Sequence, residues 1–230
     1  MSDTLGDRIK RYERAYNHTL TPRMPVIIRV DGRAFHTLTR HLNKPFDHTL
    51  MSAMVNAAID VSRDMQGFKL GYHQSDEVSF LLTDYDQLDT QGWFGYELNK
   101  IVSLTASLFT AHFYANCPAT LREKFGRVAT FDARAFNVPA EDVPNVFIWR
   151  QRDWERNSLQ MLAHFYFSHS ELQCKGRREM HDMLHGIGIN WADLSSREKN
   201  GTWILHDGDV TSERWTYPEI EDVIAGAMAA

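Results

Sequence analysis

The stretch Met24-Pro-Val-Ile-Ile-Arg-Val-Asp-Gly-Arg-Ala-Phe-His36 decides the fold of this chain. Its first half is rich in β-branched residues and predicts a buried strand. The strand ends at Asp31-Gly32, a carboxylate followed by the residue type that best allows the backbone to approach a ligand closely. The sequence therefore predicts a core strand that ends on an acidic side chain.

Hydrophobic periodicity downstream of this strand predicts two helices and three further strands. In chain order they are helix 48–66, strands 68–73 and 78–83, helix 94–115 and strand 127–133. The two middle strands are joined by the polar turn Gln74-Ser75-Asp76-Glu77 and form a predicted hairpin. The order strand, helix, strand, strand, helix, strand is that of the split βαβ, or ferredoxin-like, unit.

We therefore predict an α+β fold, a ferredoxin-like unit with an antiparallel sheet and two helices, which is the topology that a polymerase palm also has. The palm catalytic domain is predicted to span residues 1–135. Residues 136–230 are predicted to be a helical C-terminal elaboration of the same unit. Within it, residues 154–169 and 171–186 read as helices, and residues 187–230 as a mixed, partly irregular tail.

Composition excludes several classes of protein. With 43% hydrophobic and 24% charged residues in a chain of 230, it is neither disordered, collagen-like nor a disulfide scaffold. No apolar run approaches a membrane span and the N-terminus has no signal-peptide pattern, so we expect no membrane partner. Cys117 and Cys174 form no metal or redox motif and are expected to be reduced thiols of a cytoplasmic protein.

The net charge of −5 by itself argues weakly against a nucleic-acid partner. The last 30 residues, however, hold six acidic residues and one basic residue, so the whole deficit lies there. The remaining body is neutral and carries an acidic tail. Net charge therefore says little about whether the body binds RNA.

The two acidic motifs are expected to meet in space. In a ferredoxin-like sheet of order 4-1-3-2, the end of strand one lies beside the start of strand three, which brings Asp31 next to Asp76. Two adjacent carboxylates need a cation unless one is protonated. Oxygen ligands favour Mg²⁺, and a pair of Mg²⁺ ions can activate an attacking oxygen and stabilise a leaving oxygen in phosphoryl transfer. The residues thus predict a two-metal nucleotidyl-transfer palm.

Two other functions remain open on the residues alone. One is a palm-type cyclase or another nucleotidyltransferase that acts on free nucleotides. The other is a non-catalytic RNA-binding module, although strand three, Val78-Ser79-Phe80-Leu81-Leu82, lacks the exposed aromatic pattern of an RNA-recognition sheet.

At these motifs the chain resembles the tRNA(His) guanylyltransferase family, including its Thg1-like members. The stretches that carry the resemblance are Val30–His36, Asn43–Pro45, Gln74–Glu77, Trp93-Phe94 with Lys100, Phe131–Arg134, and Trp149–Gln151 with Asn157. The resemblance implies a Mg²⁺-dependent enzyme that adds guanylate or templated nucleotides to the 5′ end of tRNA in the 3′–5′ direction. It also implies GTP and ATP or other NTPs as substrates, and a homo-oligomer, either a tetramer or a dimer.

The resemblance assigns roles to residues of the acidic centre. Asp31 and Asp76 would ligate two Mg²⁺ ions, with the carbonyl of Gly32 contributing to one. Glu77 would be a third catalytic residue, either a direct ligand or a solvated neighbour. The residues implied to bind nucleotide are Gly32, Arg33, Ala34, Phe35 and His36 around the triphosphate, Lys44, Asp47 and Ser75 near the activated 5′ end, and Lys100 at a phosphate.

Residues outside the centre are candidates for tRNA contact. The basic cluster Lys175-Gly176-Arg177-Arg178 could contact tRNA phosphates or form a solvated helix face. Asn157 is retained from a family segment in which Glu155 replaces a histidine used for selectivity toward tRNA(His). That replacement resembles the Thg1-like branch, which repairs 5′-truncated tRNAs.

Overall fold

Six antiparallel strands form one sheet in this computed structural model. The structure describes residues 3–229. The predicted segments 1–135 and 136–230 also include Met1, Ser2 and Ala230, which lie outside the described residues. The strands are β1 (Val26–Gly32), β2 (Phe68–Gln74), β3 (Glu77–Leu82), β4 (Phe131–Asn137), β5 (Thr202–Leu205) and β6 (Val210–Thr211). Their spatial order is β4-β1-β3-β2-β5-β6. The first four strands therefore have the predicted order, with β1 between β4 and β3.

Helices cover both faces of the sheet. The longer helices are α1 (Leu5–Arg14), α3 (His48–Asp64), α4 (Leu98–Asn116), α6 (Val143–Tyr166), α8 (Arg177–Gly186) and α10 (Tyr217–Ala229). The short ones are α2 (Phe35–Leu38), α5 (Ala119–Arg122), α7 (His169–Leu172) and α9 (Ser196–Asn200). None of the helices in this described part of the chain combines the length and apolarity needed to cross a bilayer.

Strand β1 is buried on both of its faces. Val26, Ile28 and Val30 pack in the core formed with α3 and α4. Ile27 packs in the second core, which contains Phe147 of α6 and residues of α10. This burial explains why the strand reads as a continuous apolar run rather than an alternating one.

The predicted boundary of the fourth strand was wrong by a few residues, because β4 begins at Phe131 instead of residue 127. The residues just before it bond elsewhere. The Ala129 amide donates to the Tyr114 hydroxyl at 2.7 Å, and the Thr130 carbonyl accepts from the Arg33 amide at 2.9 Å. These bonds join the approach to β4 to α4 and to the loop after β1.

The C-terminal half is less purely helical than predicted. Strand β5 pairs with β2, and β6 pairs with β5, so this segment extends the sheet beyond the ferredoxin-like unit. Trp203 of β5 is fully buried against Tyr72 and Phe147. Four residues are too few to show a strand pattern by themselves, and these four pair with β2 on one side and with β6 on the other.

The predicted C-terminal helices also differ in their bounds. Helix α6 begins at Val143, well before the predicted residue 154. Pro144 does not prevent this start, because it lies in the first turn, where a missing amide N–H is tolerated. The predicted helix 171–186 is interrupted between α7 and α8, where Cys174 takes a positive φ of 61°.

Gly201 should be essential for joining β5 to the sheet. Its φ is +75°, and an added Cβ would lie 2.6 Å from the His73 carbonyl oxygen. We expect Gly201→Ala to lower the free energy of unfolding by about 2–3 kcal/mol, measured by denaturant titration. Gly126→Ala is the matched control, because nothing lies within 4 Å of an added Cβ there. Equal unfolding midpoints for both variants would show that β5 does not depend on this turn.

Candidate active site

The end of β1 and the β2–β3 turn are joined directly. The Gly32 amide donates a hydrogen bond to the Asp76 carbonyl at 3.0 Å, and Asp31 lies opposite Glu77 in the β1–β3 register. Asp31 is close enough to Asp76 to raise the pKa of that carboxyl. The predicted meeting of the two aspartates therefore follows from the pairing of two neighbouring strands.

Asp76 lies in an environment that disfavours its charge. Burial is the largest cause that raises the pKa of its carboxyl to about 6, and the negative charges of Asp31 and Glu77 add to it. A hydrogen bond from Ser75 partly offsets these effects. A bound cation would reverse this penalty, so the pair of aspartates fits a hard cation such as Mg²⁺.

The described side chains alone do not form a complete set of metal ligands. Within residues 3–229, no group of three or more His, Cys, Asp or Glu is arranged to hold a metal ion. Mg²⁺ commonly takes one or two carboxylates and completes its shell with water, backbone and phosphate oxygens. The carboxylates of Asp31 and Asp76 match this number of protein ligands.

Both acidic motifs contain a residue in the left-handed backbone region. Ala34 has φ 53° and Ser75 has φ 51°, although neither is glycine. Such residues cost about 1 kcal/mol or more each and are concentrated at functional sites. The strained residues of this centre therefore flank the two aspartates.

His73 holds the strained turn at Ser75. Its ring is buried, and burial together with the positive charge of Arg197 lowers the pKa of His73 to about 3, so the imidazole is neutral. Since the Ser75 carbonyl can only accept, the Nε2–H of His73 donates to it across 3.0 Å. Sequence reasoning missed His73, whose only signal was its position directly before the Gln-Ser-Asp-Glu turn.

Gly32 is required by packing as well as by any ligand. A Cβ at this position would lie 2.3 Å from the ring of Phe35, which is buried against Phe113 and Phe131. The ring thereby fixes the start of α2. The amides of Phe35 and His36 lie in the first turn of that helix, where no intrahelical acceptor exists and anions are favoured.

A cavity of about 320 Å³ opens beside Asp76. Six residues predicted for this site line it: Phe35, His36, Lys44, Asp47, Ser75 and Asp76. The volume lies in the range of small-molecule sites. The carboxylate of Asp47 has a structural role as well, because it caps α3 by accepting the Leu50 amide and also accepts the Asn43 amide of the preceding loop.

The far wall of the cavity comes from residues that sequence reasoning missed. Trp154 and Met161 of α6 line it, and the buried Trp154 ring packs edge-on against Phe46. Trp154 follows the Trp149–Gln151 motif by one helical turn. Its position after this motif was the only signal in the sequence that Trp154 belongs to the site. The predicted start of the helix at residue 154 separated the motif from Trp154.

Glu77 is held in a buried ion pair. Its carboxylate lies 2.7 Å from Nε of Arg150 and 3.9 Å from Nε of Arg29. Burial raises the pKa of Glu77, while Arg150 and Arg29 oppose that change. Glu77 is therefore not a solvated neighbour, and its carboxylate faces two arginines that sequence reasoning did not assign to the site.

The remaining predicted residues lie outside the cavity. The exposed Lys100 ammonium lies 5.6 Å from the centre of the Phe94 ring, and the Arg33 amide is bonded to Thr130. Asp31, Gly32 and Ala34 occupy the end of β1 and the loop that follows.

The candidate tRNA-contact residues lie on α6, on α8 and in the loop before α8. Each has an acidic neighbour: Asn157 is 3.4 Å from Asp153, Lys175 is 3.0 Å from Glu179, Arg177 is 4.0 Å from Glu155, and Arg178 is 4.0 Å from Asp182. The three basic side chains are exposed and remain accessible to a phosphate backbone.

Glu155 has a structural role that its sequence position did not reveal. The residue is buried, and its carboxylate lies 2.5 Å from Nε of Arg214 and 4.0 Å from Arg177. Next to it, the side chain of Gln151 exchanges two hydrogen bonds with the backbone of Trp215. Glu155 and Gln151 thus anchor the C-terminal segment to α6.

A paired-aspartate centre at the end of an antiparallel sheet, beside a cavity of this size, fits the chemistry of a nucleotidyltransferase. Residues 6–139 match the sequence model of the family described as tRNAHis guanylyltransferase, Thg1. The match covers more than half of the chain. This protein belongs to the tRNA(His) guanylyltransferase family.

Individual relatives agree with the family assignment. The tRNA(His) guanylyltransferase of Schizosaccharomyces pombe is 30% identical over 221 residues, covering 89% of this chain and 81% of that protein. A bacterial tRNA(His) guanylyltransferase (Thg1)-like protein in complex with ATP superposes with a TM-score of 0.92 at 40% identity. That alignment covers 99% of this chain and all of the other. A bacterial Thg1-like protein in complex with GTP has a TM-score of 0.81 at 37% identity, with the same coverage.

Asp76 should reduce the stability of the metal-free protein near neutral pH. Its folded-state pKa of about 6 exceeds the unfolded value of 3.8, so the ionised carboxylate is disfavoured by folding. We expect Asp76→Asn to raise the free energy of unfolding by about 1–2 kcal/mol in EDTA above pH 7.

The sign of this effect determines its pH dependence. The cost is complete above the folded pKa and disappears as pH falls below the unfolded value of 3.8, where Asp76 is protonated in both states. The variant and the wild type should therefore converge in acid when both are followed by denaturant titration. A variant that is less stable than wild type at neutral pH would contradict this reading of the site.

Proposed function

We propose that this protein transfers nucleotides to the 5′ end of a tRNA in the 3′–5′ direction, as a repair-type member of its family. The observation that carries the proposal is the contact between the end of β1 and the Ser75–Asp76 turn, beside a cavity lined by residues of both motifs. In the reaction, the 3′-hydroxyl of the incoming nucleotide attacks the 5′ phosphorus of the tRNA. Either pyrophosphate or AMP leaves, depending on whether that end is triphosphorylated or adenylated.

The nucleotide substrates are GTP and ATP or other NTPs. Support comes from the bacterial relatives of this fold, which were solved in complex with ATP and with GTP. In this chain, the amides after Gly32 and the side chains of His36 and Lys44 offer donors to phosphate oxygens. Trp154 and Phe46 supply apolar wall on the other side of the cavity.

Two Mg²⁺ ions are proposed as the cofactor, held by Asp31, Asp76 and the Gly32 carbonyl. When bound, Mg²⁺ neutralises phosphate charge and lowers the pKa of an attacking hydroxyl. The protein's own part is positioning. His73 fixes the Ser75 carbonyl, and Arg150 holds Glu77 in place next to Asp76.

The rest of the assignment follows from the family. We propose that the sheet is a polymerase palm within residues 1–135, and that residues 136–230 are its elaboration. The tRNA would contact Asn157, Lys175, Arg177 and Arg178. A dimer or tetramer in the cytoplasm is part of the same proposal.

Loss of either aspartate should abolish transfer without unfolding the protein. Asp31→Asn and Asp76→Asn are each expected to lower nucleotide addition by about 10³-fold or more, because a single carboxylate cannot replace the pair. Activity is measured as incorporation of labelled GTP into tRNA, with and without EDTA. Asp64→Asn is the matched control, since that side chain is 55% exposed at the end of α3. Near-normal rates in either centre variant would refute the metal assignment.

A tRNA panel decides which branch of the family this protein follows. Because Glu155 is occupied by Arg214, we expect 5′-truncated tRNAs of several identities to be better substrates than full-length tRNA(His). Initial rates on both sets, measured with the same NTP mixture, check this. Strong selectivity for tRNA(His) would show that Glu155 does not mark repair.

The same assay separates the alternative functions. Product formed from GTP without tRNA would indicate a cyclase or a nucleotidyltransferase for free nucleotides. Binding of tRNA without any product, unaffected by Asp31→Asn, would indicate an RNA-binding module.

A further inference from the structure

A second cavity, of about 210 Å³, lies on another face of α3. It shares no lining residue with the cavity beside Asp76, which we call the catalytic cavity. Its walls are residues of α3, Arg197 of α9, Thr202 of β5, Val210 of β6 and the adjacent Ser212. The α3 residues are Ser52, Val55, Asn56 and Ile59. We call it the Arg197 cavity. Asn56 and Val210 are exposed, so the cavity opens to solvent.

The guanidinium of Arg197 is poorly compensated in this cavity. Among residues 3–229, its one hydrogen bond runs from NH1 to the Ser52 hydroxyl at 3.1 Å. Its Nε is buried without a partner, and no carboxylate of the described chain lies within 4.0 Å. The adjacent Glu198 is already engaged, by His48 at 3.3 Å and by the Ser195 amide at 2.9 Å.

An uncompensated arginine at such a position is unfavourable for folding alone. Burial is what lowers the pKa of Arg197. A partly buried cation without a counter-ion costs stability, and a neutral side chain could satisfy Ser52 equally well. The hydrogen bond to Ser52 therefore does not account for the charge at this position, which an anionic ligand would compensate.

The other polar groups of the cavity match an oxyanion. Ser52 offers a hydroxyl and Asn56 an amide, whereas no carboxylate is found among the lining residues. The hydroxyls of Thr202 and Ser212 share one hydrogen bond at 3.2 Å, which leaves one of the two free to donate. Guanidinium N–H groups bind phosphate through two parallel hydrogen bonds, and the Arg197 guanidinium keeps terminal N–H groups beyond the one that donates to Ser52. A cationic ligand group would not use this donor set.

We propose that the Arg197 cavity binds the phosphate group of an anionic ligand at a site separate from the catalytic cavity. The phosphate could belong to free inorganic phosphate or to a short RNA. Both sources present the same tetrahedral group to Arg197, Ser52 and Asn56. The site does not depend on the proposed transfer reaction.

Isothermal titration of the whole protein with inorganic phosphate tests the site. Titrations are run in EDTA at constant ionic strength. We expect saturable binding that weakens at least about tenfold in Arg197→Gln, because two charge-assisted bonds are lost. Arg63→Gln is the control, since Arg63 is an exposed arginine of α3, the helix that lines the Arg197 cavity. Lys44→Ala reports any phosphate bound in the catalytic cavity and should leave the Arg197-dependent binding in place.

Three outcomes would overturn the proposal. They are an unchanged isotherm for Arg197→Gln, loss of binding only in Lys44→Ala, and no binding by wild type. Stability in phosphate-free buffer is a second readout: Arg197→Gln should unfold at the same denaturant concentration as wild type or at a higher one. A much less stable variant would show that Arg197 serves the fold.

A measurement on the wild-type protein avoids dependence on that variant. The ¹⁵N–¹H signal of the Arg197 side-chain Nε should shift as phosphate is added, and its absence in Arg197→Lys assigns it. Uridine dinucleotides with and without a 5′-phosphate then distinguish the two sources. Tighter binding of the phosphorylated dinucleotide than of phosphate identifies RNA, and binding of phosphate alone identifies the free anion. An unmoved signal with every probe would refute the site.

Discussion

The antiparallel pairing of β1 with β3 is the constraint on which the site depends. It places Asp31 opposite Glu77 and allows the Gly32 amide to bond to the Asp76 carbonyl. The sheet thereby forces together carboxylates that repel each other, and the burial of β1 on both faces stabilises that arrangement. A centre of this kind is costly without a cation and suited to one.

Helix α6 connects the paired-aspartate end of the sheet to the C-terminal half. Arg150 neutralises Glu77, Trp154 walls the cavity, and Glu155 with Gln151 ties down the segment around Trp215. The C-terminal half therefore shapes the site as well as extending the sheet. A nucleotide in the cavity would lie between motifs of the first half and a helix of the second.

Local patterns predicted the central elements well and the peripheral ones poorly. The β-branched run of β1 and the helical spacing of α3 are long and regular, so period alone identified them. β5 and β6 are short, and the start of α6 contains Pro144. Such segments acquire their structure from a neighbour, which is why the C-terminal half was expected to be helical and irregular.

The sequence by itself determined the fold order of the first four strands, the pair Asp31 and Asp76, and the family, because these depend on periodicity and on motifs. Only the tertiary structure decided which charges are paired and which are not. Glu77 faces Arg150, Glu155 binds Arg214, and Arg197 has no carboxylate within reach in the described chain. The partners lie far apart in the chain, and charge compensation is set by distance and burial in space, neither of which a local pattern records.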